Sequence, residues 1–307
     1  MTELHLAVFL TLSVAFVIRI PSAFRSHHGR LSWLACGVGA LAILTLGPVI
    51  PVATLDSALG GTNIIYLVQC WLALVAFWLL FEAARNIGGG DERPRRPWAI
   101  LAYCGIIAIP FFLIEDRAPT ALFFIHDHVD QLAAVICASI YMTGVALLSL
   151  RLLIFVRAKK SFGYWLFRAG GTLIIVGICV EIVALIWAHL GASSRVREAL
   201  YAVFDPTFYS GAVLIVTGII WFWGARLIRA HRTRTRIQRL ERILTERAIA
   251  LPATEDDHAY TVYALLIRIT DATVLQKVHL TEEERTTVKE SEEWIETILP
   301  QLVGASS

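Results

Sequence analysis

Seven apolar stretches, at residues 4–20, 31–55, 62–84, 97–114, 131–156, 165–189 and 206–228, fill the first three quarters of this 307-residue chain. A helix needs about 20 apolar residues to cross the hydrocarbon core of a bilayer. The pattern therefore predicts an all-α membrane protein with seven transmembrane helices. Charged residues make up only 17% of the chain, against roughly a quarter in a soluble domain. A net charge of +2 offers nothing for nucleic acid to bind. The fourth stretch is short and holds Pro110, which predicts a kink or a tilt.

The basic residues fix the expected orientation. Arg25 and Arg30 follow the first span, and Arg85, Arg93, Arg95 and Arg96 follow the third. Arg157, Lys159 and Lys160 follow the fifth, and a dense run from Arg226 to Arg242 follows the seventh. The opposite loops hold Arg117, Arg195, Arg197 and little else that is basic. Cytoplasmic loops collect lysine and arginine. The expectation is a multi-pass protein of the cell membrane, N-terminus outside and C-terminus in the cytoplasm. The first residues lack the basic segment of a cleaved signal peptide, so the first stretch reads as a retained helix. No internal repeat is visible, and an odd number of spans does not divide into the two equal halves of an inverted-repeat transporter.

Two domains are expected: 1–228 in the membrane and 229–307 as a cytoplasmic helical tail. In the tail, Ile237, Leu240, Ile243 and Leu244 form one stripe on an arginine-rich helix over 232–250. Leu251-Pro252 ends that helix and Thr254–Asp257 restarts the chain. A second helix over 257–278 points Tyr263, Leu266, Ile269 and Leu275 toward a core. Thr281 and Glu284 have the spacing of a capping box. Val288, Ile295, Ile298, Leu299 and Leu302, with Trp294 beside them, follow at helical spacing. Short amphipathic helices must pack on one another or on a partner, so a cytoplasmic protein partner is a second expectation for 229–307.

The segment from Tyr263 to Asp271, Tyr-Ala-Leu-Leu-Ile-Arg-Ile-Thr-Asp, follows a basic helix after a seventh span. In this it resembles the end of an actinobacterial family of seven-span membrane proteins. These share a C-terminal domain of unknown function and are often labelled transporters. Phe167-Arg168 and Gly170-Gly171 in the sixth span fit the same likeness. Arg268-Ile-Thr-Asp271 stands where the family has acidic–Ile–Arg–Asp, and the aspartate is the residue that matches. The resemblance implies membrane location and this topology, and it supplies no active site.

Glu181 is the sharpest single residue. It lies deep in the sixth stretch, where an ionisable group is costly unless protonated, paired or wet. Gly170, Gly177, Ala184 and Ala188 share its face, and small residues mark a helix–helix contact. Glu181 should thus face the bundle. Gln69, with Asn63 and Tyr66 on the same face of the third span, lies at a similar depth. Ser139 and Tyr141 of the fifth span lie slightly deeper. Together they suggest one polar cavity open to the outside, binding a ligand, cation or proton. The competing reading makes Glu181 structural glue, hydrogen-bonded across helices.

His126, His128 and Asp130 carry ligating groups at close spacing, but no histidines stand four apart on a helix and no further ligand is evident. The segment reads as a solvated loop with Asp130 capping the fifth helix, and no metal site is expected. Asp205-Pro206 reads as the cap and first turn of the last span. Glu82 and Arg85, one turn apart, should pair. Gly88-Gly89-Gly90 lacks the strand and Gly-Lys-Ser/Thr of a phosphate loop. The five cysteines, all in apolar stretches, read as free thiols. No cofactor motif and no pair of catalytic groups at membrane depth is present, so no enzyme is expected. The favoured function is a membrane sensor or regulatory protein that couples an outward-facing pocket to the tail, and the alternative is a small-solute transporter.

Overall fold

The computed structural model describes residues 2–25, 27–87, 97–157, 159–191, 194–252, 258–275 and 278–303, and among them helices are the sole regular elements. Arg93, Arg95, Arg96, Gly88–Gly90, Thr254–Asp257 and the side chains of Arg25, Arg195, Arg197, Ile298, Leu299 and Leu302 lie outside the described residues. The chain forms two compact units, Met1–Trp221 and Phe222–Ser307.

The first unit contains α1 (Thr2–Ile18), α2 (Ile20–Arg25), α3 (His27–Leu44), α4 (Val52–Ser57), α5 (Ile64–Ile87), α6 (Pro97–Phe112), α7 (Phe124–Asp127), α8 (Leu132–Val156) and α9 (Phe162–His189), and it holds the first half of α10 (Ser194–Glu246). Four helices are long and apolar enough to cross a membrane: Ile64–Arg85, Leu132–Val156, Phe162–His189 and Ala199–Glu246. This is compatible with an α-helical membrane protein. It does not reach the seven spans expected.

Three of the predicted stretches form shorter apolar helices, Glu3–Ile18, Gly29–Leu44 and Pro97–Phe112. Each has a local reason to stop. The first breaks after Ile18, where Pro21 has no N–H to offer the Val17 carbonyl; beside the break the buried Arg19 guanidinium donates to the Ser32 hydroxyl at 2.5 Å and to the Ile219 carbonyl at 3.5 Å. The stretch at 31–55 breaks after Leu44, where Gly47 turns with φ +84° and Pro48 and Pro51 follow. Only glycine takes that φ without a Cβ penalty. α6 ends two residues after Pro110.

The last predicted span is corrected in the opposite direction. α10 begins at Ser194 and runs 53 residues, so Asp205 is not its cap and Pro206 lies inside the helix. Nor does Asp130 cap α8: Gln131 holds the cap position without a side-chain bond to the helix, and Asp130 is exposed. Gln131 instead exchanges hydrogen bonds with the Glu115 backbone, at 2.8 and 3.2 Å.

Within the unit α1 packs on α3, α3 on α5, α5 on α8, α8 on α9, and α6 on α8. Lipid gives no hydrophobic drive for such contacts, so close backbone approach must supply the packing. α9 meets α10 through glycines. A Cβ on Gly170 would sit 2.6 Å from the Gly211 carbonyl oxygen, and one on Gly177 would sit 2.6 Å from Thr207 Oγ1. Outward-facing apolar side chains such as Leu10, Val17, Leu101, Ile109, Ile154 and Val183 stay exposed. Glu82 and Arg85 pair as expected, at 2.7 Å and both buried. The cysteines are free thiols.

The second unit contains the rest of α10, α11 (His258–Val274) and α12 (Glu282–Val303). Its core joins Leu240, Ile243 and Leu244 of α10 to Val262, Leu265, Leu266 and Ile269 of α11 and Val288 and Ile295 of α12. Burying such a side chain from water contributes about 1.5–3 kcal/mol. The predicted stripe on α10 is right. On α11 the register is turned: Leu266 and Ile269 face the core, but Tyr263 and Leu275 are exposed and Val262 and Leu265 take their place.

α10 closes with Ala248 at φ +55° and the Ile249 amide donating to the Leu244 carbonyl at 2.8 Å. This is the helix-ending motif that glycine usually serves. The capping box of α12 forms in both directions: Thr281 N–H donates to Glu284 Oε2 at 2.6 Å, and Glu284 N–H donates to Thr281 Oγ1 at 3.3 Å. Arg247 grips the same Glu284 with two N–H groups, at 3.2 and 2.7 Å. Arg236 lies over the Trp294 ring, 4.9 Å from its centre.

Candidate functional site

Glu181 faces the bundle, as the small residues on its face require. It is 3% exposed, among buried Gly177, Ala184 and Ala188. One oxygen, Oε1, lies 3.0 Å from His126 Nε2. The other, Oε2, is buried and has no hydrogen-bond partner among the described residues. A buried carboxyl oxygen left without a donor is costly.

His126 reaches Glu181 because the chain around it is pinned. Phe124 and Ile125 of the short α7 are buried in the unit and draw the next residue inward. His128 is used up in holding the loop: Nδ1 meets the Phe124 carbonyl at 2.8 Å and Nε2 the Asp116 carbonyl at 3.1 Å. His189 Nδ1 meets the Val129 carbonyl at 2.8 Å. The His126 ring itself stacks on Tyr201, with centroids 4.0 Å apart, and its side chain is 35% exposed. Asp205 lies within electrostatic reach of His126 and of His5. The site is thus a buried carboxyl, an imidazole bridging it to the surface, and a second carboxyl and imidazole nearby. It can take up or release a proton, or offer carboxyl oxygens to a small cation. Among the described residues no three His, Cys, Asp or Glu side chains converge as a metal ion would need.

The other expected residues separate into two further places. Gln69 and Tyr141 do share a wall, in a cavity of about 100 Å³ between α1, α3, α5, α8 and α10. Its lining is mostly apolar, and Glu181 is not part of it. Tyr66 lies one turn before Cys70 on α5 and near Tyr141. Ser139 is half-buried on α8 and does not line the cavity.

Asn63 is a lock for the loop around residues 117–121. Its amide nitrogen Nδ2 donates to the Arg117 and Pro119 carbonyls, at 2.5 and 3.1 Å, and its Oδ1 accepts from Ala121 N–H at 2.9 Å. Its φ of +58° suits asparagine better than most residues. Beside it stands a residue that sequence reasoning missed, Asp56. Fully buried, it accepts from Asn63 N–H at 2.7 Å, Ile65 N–H at 2.9 Å and the Thr120 hydroxyl at 2.6 Å. It satisfies amides at the start of α5 from seven and nine residues away, which no local capping pattern reveals. Sequence spacing places His126 in a solvated loop with weak metal-ligating potential, because its partner Glu181 lies 55 residues on.

No family model matches this chain, and neither a curated protein nor a solved structure matches it.

Proposed function

We propose that this chain is a multi-pass sensor or regulatory protein of the cell membrane, with the N-terminus outside and the C-terminus in the cytoplasm. It responds to a proton or small cation at Glu181 and passes the change to a cytoplasmic protein partner through its helical tail. The observation that carries this reading is the half-satisfied pair: Glu181 is 3% exposed, with one oxygen on His126 and the other without a partner among the described residues, while His126 is partly exposed. A proton or a cation that binds one state of such a group better than the other would shift the balance between them. One helix serves both ends. α10 carries Tyr201 and Asp205 of the outer site and Leu240, Ile243 and Leu244 of the tail core.

Seven crossings remain the best account of the basic loops. The three shorter helices are about 24–27 Å long at the helical rise, and a bilayer of about 30 Å thins to meet a short span at modest cost.

The test is hydrogen exchange on the full chain in lipid nanodiscs between pH 5 and 8, with wild type and Glu181→Gln side by side. A pH-dependent change in α11 and α12 amides that disappears in the variant is the expected result. Equal tail exchange in both proteins at every pH rejects coupling. The likeness of residues 263–271 to proteins labelled transporters supports the second reading. Its signature is gradient-driven solute uptake into vesicles that Glu181→Gln abolishes.

A further inference from the structure

The cavity between α1, α3, α5, α8 and α10 is separate from the Glu181 site, and its construction is unusual for a packing gap. Small residues on three helices, Gly39, Ala73, Ala76 and Ala212 among them, hold it open at about 100 Å³. Void space of that size is many times what one water needs. Larger side chains at any of these positions would fill it, and interiors are ordinarily packed close to crystal density. Three polar side chains border this apolar space: Gln69, Tyr141 and Tyr209. Neither the Gln69 amide nor the Tyr141 and Tyr209 hydroxyls hydrogen-bond to the protein among the described residues, although Tyr209 is only 6% exposed. Unmet polar groups in apolar surroundings are costly, so something is expected to satisfy them.

We infer that this cavity binds a small hydrophobic molecule carrying one hydroxyl or carbonyl group, drawn from the membrane. The apolar body occupies the space between Val8, Ala73 and Ile215, and the polar head bonds to the Gln69 amide, with Tyr141 and Tyr209 beside it. Volume sets the scale. Cavities of about 150 Å³ accept a benzene ring, so the portion enclosed in this smaller space is a short chain segment. A charged headgroup is excluded, because no charged side chain lines the cavity.

The test uses a medium-chain alcohol bearing a photoreactive diazirine, added to the full chain in nanodiscs and mapped by mass spectrometry after illumination. Label should concentrate on cavity-lining peptides of α3, α5 and α10. Ala73→Leu, which fills the space, should remove it. Gln69→Leu keeps the volume and the fold but removes a polar partner, and should cut labelling about fivefold, the worth of one hydrogen bond. If label falls evenly on lipid-facing positions such as Leu10 and Leu101, or is unchanged in Gln69→Leu, the cavity holds water and the proposal fails. Should Ala73→Leu not yield folded protein, Gln69→Leu alone decides.

Discussion

Asp56 and Glu181 are both buried carboxyls in the membrane unit, and they are built in opposite ways. Asp56 is fully enclosed, and both its oxygens are bonded, to two backbone amides and a hydroxyl. Glu181 has one oxygen on a partly exposed histidine and the other on no described residue. The saturated group has nowhere to go, and the loops it ties depend on it. The unsaturated group keeps one oxygen that no described residue engages. The contrast separates a structural carboxyl from one that can respond, on hydrogen bonding alone, with burial held nearly equal.

The largest expected effect comes from breaking the saturated side. Asp56→Ala leaves two buried amides and the part-buried Thr120 hydroxyl unmet, at about 1–3 kcal/mol for each buried donor. Thermal melting of the detergent-purified protein should register a loss of about 3–5 kcal/mol, or no folded protein. A melt indistinguishable from wild type would mean that Asp56 is not the lock. Asn63→Ala comes next, at about 2–3 kcal/mol. It loses the bonds to Arg117, Pro119 and Ala121 and places alanine at φ +58°. Limited proteolysis near residues 115–123 should speed up with it, and unchanged cleavage would refute the role.

A third carboxyl sharpens the comparison from the tail. Glu284 is saturated like Asp56 but lies near the surface. The Arg247 hydrogen bonds, with smaller help from Thr281, hold its carboxyl below the usual carboxylate range. A carboxylate depressed on folding adds stability that is complete above its ordinary range and is lost as pH falls through the lowered folded value. The difference between wild type and Glu284→Gln should therefore be present at neutral pH and close as pH drops below about 4.3. Hydrogen exchange of α12 amides reads it. A gap that widens toward acid would reverse the sign and overturn the assignment.

Glu181→Gln should matter least to stability, within about 1 kcal/mol, because the amide oxygen can still meet His126. A drop comparable to Asp56→Ala in the same melting experiment would make Glu181 a member of an ion pair that folding requires and would erase the distinction between the two carboxyls.

Much of this was legible in the chain. The apolar stretches, the stripe on the tail part of α10, the capping box of α12, the Glu82–Arg85 pair and the inward face of Glu181 all follow from spacing of three to seven residues. Such spacings express helix geometry, which depends on near neighbours. The errors have a common form. Apolar length at 31–55 overrode the Gly47-Pro48 break, and Pro206 was read as a beginning although a helix already under way carries it. On α11 one turn of ambiguity put Tyr263 and Leu275 inside in place of Val262 and Leu265, because an aromatic or leucine at a stripe edge satisfies either face.

The sequence by itself determined that this chain is helical, that its first three quarters suit lipid, and which helix faces are small enough to touch. Those are properties of composition and period. Tertiary structure alone decided which polar groups meet. It brought His126 to Glu181 across 55 residues and gathered Asn63 and Thr120 around Asp56. It also set Gln69, Tyr141 and Tyr209 around one apolar space. Hydrogen bonds between distant loops and helices are fixed by packing, and packing has no period in the chain.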